Sequence, residues 1–169
     1  MTPRPPPVVH ALTSGPEETR LLAEAVAGHA KAGDIVVLAG DLGTGKTVWV
    51  QGFARGLGVT ETVTSPTFTL VRPYEGRSLQ LLHADMYRLD RLSEVVDLGL
   101  VEQLDGPVVA CIEWGDLAEP ALPADFVQIR LDFGATDDER TIVIRPVGRS
   151  WAARFEVVRE AVVRWVVPE

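Results

Sequence analysis

Eight consecutive residues, Gly40-Asp41-Leu42-Gly43-Thr44-Gly45-Lys46-Thr47, constrain this chain more than any other feature. They follow the pattern G-x-x-x-x-G-K-[ST], in which glycines let backbone N–H groups turn inward on phosphate oxygens. The pattern carries meaning only between a buried strand and the start of a helix, and both neighbours meet that demand. Asp34 to Ala39 is a short apolar, β-branched run that predicts a buried parallel strand. Val48 to Leu57 predicts a helix closed by Gly56 and Gly58, whose N-terminal dipole adds to an anion site. In that setting Asp41, Leu42, Gly43, Thr44, Gly45, Lys46 and Thr47 form the expected cradle of a nucleoside triphosphate. Lys46 would reach the β- and γ-phosphates, and the Thr47 hydroxyl would ligate Mg²⁺.

The remainder of the chain predicts the layers around that loop. Val8 to Leu12 reads as an edge strand. Ser14-Gly15-Pro16-Glu17 resembles a capping box opening a helix from Pro16 to Lys31, stopped by Gly33. Thr67 to Val71 reads as extended, Leu79 to Ala84 as a strand ending at Asp85, and Leu92 to Leu104 as a helix broken at Gly99. Pro107 to Glu113 is a second strongly apolar strand. Phe126 to Asp132 and Thr141 to Arg145 alternate across a Gly- and Asp-rich turn, which predicts a hairpin. Trp151, Phe155, Val158, Val162 and Trp165 recur at helical spacing and predict a terminal helix with a packing stripe. The expected fold is a three-layer α/β domain of the P-loop NTPase type. Its sheet is mostly parallel, with an antiparallel C-terminal hairpin and a terminal helix. Residues 8 to 169 are expected to form one ATPase domain behind a flexible proline-rich tail, residues 1 to 7.

Charge narrows the partners. The net charge is -8, and Lys31 and Lys46 are the only lysines, so no basic block is present to grip nucleic acid directly. The single cysteine, Cys111, lies in an apolar run and reads as a core residue. No run reaches the roughly 18 apolar residues of a membrane span. The start lacks the apolar centre of a signal peptide, and a cytoplasmic location is the expectation.

Two further acids complete a candidate site. Glu113 ends the apolar strand and is the expected second holder of Mg²⁺, directly or through water. Asp85 ends the strand before it, in His83-Ala84-Asp85-Met86-Tyr87-Arg88. By strand alternation His83 and Asp85 share a face. Asp85 could orient or deprotonate an attacking water, help order the metal shell, or simply cap a turn. His83 could be catalytic or an interior hydrogen-bonding residue. Arg88 could touch phosphate. Thr67 follows Ser65-Pro66 at the start of a strand, the place where phosphate-sensing switches keep a threonine. Guanine reading through an Asn/Thr-Lys-x-Asp segment is excluded, because the chain has no asparagine and neither lysine precedes x-Asp, so ATP is favoured. Hydrolysis and transfer to a hydroxyl acceptor use the same cradle, and a small-molecule kinase or a nucleotide-binding regulator without turnover stay open. No arginine-rich lid segment is present to favour the kinase.

The order of these motifs resembles the TsaE family, also called YjeE. The phosphate loop, Ser65-Pro66-Thr67-Phe68-Thr69-Leu70-Val71, His83-Ala84-Asp85-Met86-Tyr87-Arg88 and Ile112-Glu113-Trp114 carry the likeness, from about Ser14 to Arg145. Phe68 stands where many members have tyrosine, which removes a hydroxyl. Members are bacterial ATPases required for threonylcarbamoyladenosine in tRNA. The resemblance implies ATP and Mg²⁺ as cofactors, with Thr47 and Glu113 on the metal. It further implies Lys46 on the terminal phosphates, Thr67 on a nucleotide-sensing segment and Asp85 as the catalytic or water-orienting carboxylate. It implies TsaB and TsaD as protein partners, with tRNA contacted mainly through them, while TsaC makes the threonylcarbamoyl donor. It implies slow turnover by the chain alone.

Overall fold

The computed structural model describes every residue except Met1, Pro3, Thr67, Phe68, Thr69 and Asp90. Among the described residues, seven strands form one sheet: β1 (Val9–Thr13), β2 (Ile35–Ala39), β3 (Val71–Glu75), β4 (Gln80–Asp85), β5 (Val108–Glu113), β6 (Phe126–Phe133) and β7 (Arg140–Val147). Their spatial order is β1-β7-β6-β2-β5-β4-β3. The centre, β6-β2-β5-β4, is parallel throughout. Antiparallel pairs flank it, β7 and β1 on one side and β3 on the other. Strand β2 is buried at every position, which is why its sequence is an unbroken apolar run.

Helices cover both faces, and the alternation of strand residues decides which side chain meets which layer. Val36 and Leu38 of β2 pack with α1 (Pro16–Ala27), α2 (Lys46–Gly56) and α4 (Phe155–Ala161), through Leu22, Val26, Trp49, Phe53, Phe155 and Val158. Ile35 and Val37 join the opposite cluster with Val95 of α3 (Leu92–Asp97), Leu100 and Ala118. This is the expected three-layer α/β arrangement. On α2 the buried residues Trp49, Val50, Phe53 and Ala54 fall three and four apart, one helical face, and the Trp49 and Phe53 rings stack with centroids 5.2 Å apart. Helices α1 and α2 approach so closely that a Cβ on Gly52 would lie 2.2 Å from the Arg20 carbonyl oxygen. Arg55 of α2 adds ion pairs to Glu17 and Glu24 of α1 at 3.0 and 2.7 Å.

Several elements differ from expectation, each for a local reason. The capping box at Ser14 to Glu17 does not form: Gly15 is the N-cap, and Glu18 accepts the Ser14 N–H at 2.6 Å, one residue later than predicted. Helix α1 ends at Ala27, with Gly28 as its cap, short of Lys31. The Gly33 N–H is instead spent on the Val108 carbonyl at 2.7 Å, tying the approach to β2 onto β5. Strand β3 occupies Val71–Glu75 and contains Pro73, which an edge strand tolerates because its outward N–H has no ladder partner to lose. The terminal helix is short. Only Phe155–Ala161 is α-helical, between 3₁₀ turns at Ala152–Arg154 and Val163–Trp165, yet Trp151, Phe155, Val158, Val162 and Trp165 are all buried as their spacing predicts.

This C-terminal segment is also locked to the strand that launches the phosphate loop. Arg154 donates to both oxygens of Asp34, at 2.6 and 2.7 Å, and to the His29 carbonyl at 2.5 Å, with its guanidinium over the Trp151 ring. Among the described residues no helix is long and apolar enough to cross a membrane.

Candidate nucleotide site

Strand β2 ends at Ala39, α2 begins at Lys46, and the six residues between them form the phosphate loop. Gly40 has φ 143° and is pressed against β6: a Cβ there would sit 2.3 Å from the Leu131 carbonyl oxygen and 2.8 Å from the Thr44 hydroxyl. No residue but glycine fits that corner. Gly45, in the left-handed region, is the N-cap of α2, so the loop hands directly into the positive end of the helix.

Lys46 and Thr47, the first residues of α2, point in different directions. The Lys46 ammonium donates to the Gly40 and Asp41 carbonyls at 2.7 and 2.8 Å and lies 4.0 Å from the centre of the Trp114 ring. Burial holds this amine below the usual lysine pKa, an effect opposed by Glu113, Asp85, Asp116 and Asp41 in that order. The Thr47 hydroxyl donates to Glu113, 2.9 Å from each carboxylate oxygen. Glu113 is buried and also meets His83 Nε2 at 2.5 Å. Hydroxyl and carboxylate converging at one point form a hard oxygen donor set of the kind that suits Mg²⁺.

Strand pairing brings the second acid alongside. Asp85 of β4 is the register partner of Glu113 of β5, and His83 pairs with Cys111 two residues earlier. His83, Asp85 and Glu113 therefore share the sheet face that carries α2, as alternation requires. One Asp85 oxygen accepts the Ser65 hydroxyl at 3.0 Å, and the other accepts the Tyr87 N–H at 2.9 Å. Asp85 is thus a turn acceptor, and it also lines the cleft. The cleft has a volume of about 500 Å³ and runs from Leu42, Gly43, Gly45, Lys46 and Thr47 past Ser65, Pro66 and Asp85 to Tyr87, Arg88, Glu113 and Trp114. Thr67 and Phe68 lie outside the described residues. Leu42 projects from the loop and is 71% exposed.

Trp114 has φ 58°, a left-handed conformation that is costly for a bulky residue. The turn aims its ring back over Lys46 and against Tyr87, whose ring centre is 5.0 Å away. Leu70 has φ 60° on the other wall, beside the Asp85 N–H that its carbonyl accepts at 2.9 Å. Strain of this type concentrates around ligand sites.

Arg140, at the start of β7, is part of the site although nothing in the linear pattern singles it out. It donates from Nε to the Thr44 carbonyl at 2.9 Å, and from one terminal nitrogen to the carbonyls of Asp137 and Glu139 at 2.6 and 2.7 Å. Its guanidinium also rests on the Phe133 ring, 4.9 Å from the centre. The C-terminal hairpin therefore braces the back of the phosphate loop.

Known proteins resemble this chain in sequence and in fold. A family model described as "Threonylcarbamoyl adenosine biosynthesis protein TsaE" matches residues 13–142. The Bacillus subtilis tRNA threonylcarbamoyladenosine biosynthesis protein TsaE is 45% identical over 152 residues, 90% of this chain and 92% of its own length. The protein of the same name from Treponema pallidum is 46% identical over 112 residues, covering 66% of this chain and 82% of its own. The crystal structure of Bacillus subtilis YdiB superposes with a TM-score of 0.76 at 39% identity, over 95% of this chain and 97% of that one. Matched over most of its length in sequence and in fold, the chain belongs to the threonylcarbamoyl adenosine biosynthesis protein TsaE family.

Proposed function

We propose that the chain is a Mg²⁺-dependent ATPase that supports a TsaB–TsaD complex in forming N6-threonylcarbamoyladenosine in tRNA. One observation carries the ATPase: the Thr47 hydroxyl and the Glu113 carboxylate meet at 2.9 Å, at the mouth of a glycine loop whose lysine and helix N-terminus face the same cleft. The pathway follows from the relatives, which bear the name of that tRNA modification. TsaB and TsaD are the proposed partners within that family, and an acidic chain with no basic block suits contact through proteins.

Phosphoryl transfer needs little covalent chemistry from a protein; positioning and charge do the work. The loop N–H groups and the α2 N-terminus would receive the phosphate oxygens, and Lys46 would leave the carbonyls of Gly40 and Asp41 for the terminal phosphates. Thr47 and Glu113 would hold Mg²⁺, which when bound neutralises charge on the phosphate oxygens. Asp85, one strand over from Glu113, would accept a hydrogen bond from the attacking water and orient it. Tyr87, Trp114 and Leu42 offer apolar surface at the rim for the nucleoside. A phosphate-loop site that no arginine finger completes turns over slowly, short by roughly 10³–10⁵ of a completed one. Thr67 belongs to the proposed nucleotide-sensing segment.

Phosphate release from Mg²⁺-ATP, measured with and without TsaB and TsaD, tests the proposal. Release that rises with the pair and is abolished in Lys46→Ala and Asp85→Asn is the expected result. ATP binding without release in either mixture would leave the regulator; transfer to an added hydroxyl acceptor in place of water would establish the kinase.

A further inference from the structure

His83 is wholly buried, and its two ring nitrogens have very different surroundings. Nε2 lies 2.5 Å from Glu113 Oε2, whereas Nδ1 is buried with no hydrogen-bond partner among the described residues. A buried ring nitrogen without a partner is tolerated far better as a bare lone pair than as an N–H. The arrangement therefore selects the Nε2–H tautomer, which donates to the carboxylate. Glu113 receives two donors, the His83 ring on Oε2 and the Thr47 hydroxyl on both oxygens. The imidazole grips the carboxylate from within the sheet face, while the hydroxyl meets it from the cleft.

We propose that His83 is the positioning residue of Glu113. Its Nε2–H holds the carboxylate in the rotamer that faces Thr47, and through it sets the affinity of the site for a divalent cation accompanying a triphosphate. This rests on the nucleotide-site reading above, which assigns Thr47 and Glu113 to the metal. Partners behind a metal-holding carboxylate typically change metal affinity by about 10–100-fold when replaced. The two nitrogens of His83 provide a discriminating test. Glutamine places its amide N–H₂ near the position of Nε2, and asparagine places it near Nδ1, where nothing waits for it.

The experiment uses the full chain as wild type, His83→Gln and His83→Asn. Calorimetry with the β,γ-imido analogue of ATP in EDTA gives the metal-free nucleotide affinity. Electron paramagnetic resonance then gives the Mn²⁺ affinity of each protein–nucleotide complex. The expected result is unchanged metal-free nucleotide binding in all three, near-wild-type Mn²⁺ affinity in His83→Gln, and a loss of about 10–100-fold in His83→Asn. Equal Mn²⁺ affinities in the two variants, or metal-free binding that falls by the same factor, would overturn the proposal. Imidazole ¹⁵N spectra of the wild-type chain test the contact without any substitution: the Nε2–H tautomer supports it, and the Nδ1–H tautomer overturns it. A wild-type chain that binds no ATP analogue would defeat the nucleotide-site reading instead, and the ¹⁵N spectra would still judge the His83–Glu113 contact.

Discussion

Replacing Arg140 by methionine tests how much of the phosphate loop is held from behind. In every peptide unit the C=O and the following N–H point in opposite directions. A guanidinium that keeps the Thr44 carbonyl turned outward, at 2.9 Å, therefore keeps the Gly45 N–H turned toward the cleft. Methionine keeps an unbranched side chain and removes the donors, together with the guanidinium that rests on Phe133. A hydrogen bond from a charged donor contributes about 1.5–3 kcal/mol, and a half-buried arginine keeps less of that. The bond sets the upper limit of the penalty, because binding must then impose an orientation that Arg140 imposed in advance. A loss of about 1–2 kcal/mol, or roughly 5–30-fold in Kd, is expected for Mg²⁺-ATP. Calorimetric titration measures it, with thermal melting as the control for the fold. Arg140→Lys should fall between, since an ammonium can serve fewer carbonyls than the guanidinium fork. A Kd for Arg140→Met indistinguishable from wild type would refute the bracing argument.

Three other perturbations follow. Gly40→Ala forces a Cβ to within 2.3 Å of the Leu131 carbonyl oxygen at a left-handed φ, and should lower stability by about 2–4 kcal/mol in urea denaturation; a stable variant that binds ATP normally would show that the loop is not pinned to β6. Arg154→Met leaves Asp34 as a buried, half-partnered carboxylate and should cost about 3–5 kcal/mol, most of it recovered in the double variant with Asp34→Leu; no recovery would argue against a buried charge as the cause. For Lys46 the folded-state pKa is lowered, so protonating the amine opposes folding. That penalty is full below the lowered value and disappears as pH rises from it to the ordinary value near 10.4. Nucleotide-free wild type should therefore gain stability relative to Lys46→Met as pH rises through that window, and a loss there would reverse the assignment to burial.

The site was legible in sequence where chemistry and chain continuity coincide. The loop, its strand and its helix are contiguous, so spacing alone places Lys46 and Thr47. Glu113 and Asp85 were legible because strand ends are where an apolar run changes to an acid, and the sheet register then sets them side by side. Arg140 was not legible, because it reaches Thr44 from the far end of a hairpin and one arginine among fourteen carries no linear mark. Asp34 resembled part of a strand, and only the folded chain shows Arg154 closing on it. The left-handed turn at Trp114 is likewise set by tertiary packing against Lys46 and Tyr87, with nothing in the order Glu-Trp-Gly to demand it. The terminal stripe was read with the right residues and the wrong regularity, since 3₁₀ turns and a short α-helix bury the same side chains as one continuous helix.

The distribution of tryptophans has a spectroscopic consequence. The chain holds four, and the indole N–H groups of Trp49, Trp151 and Trp165 are buried without a hydrogen-bond partner among the described residues. Phenylalanine at those three positions gives up ring volume but breaks no hydrogen bond, and it removes three unsatisfied donors from the interior. The triple variant would emit from Trp114 alone, the one indole in contact with the Lys46 ammonium. A cation 4.0 Å from the ring shifts and quenches indole emission, so withdrawal of Lys46 toward a phosphate would appear directly as a change in colour and intensity.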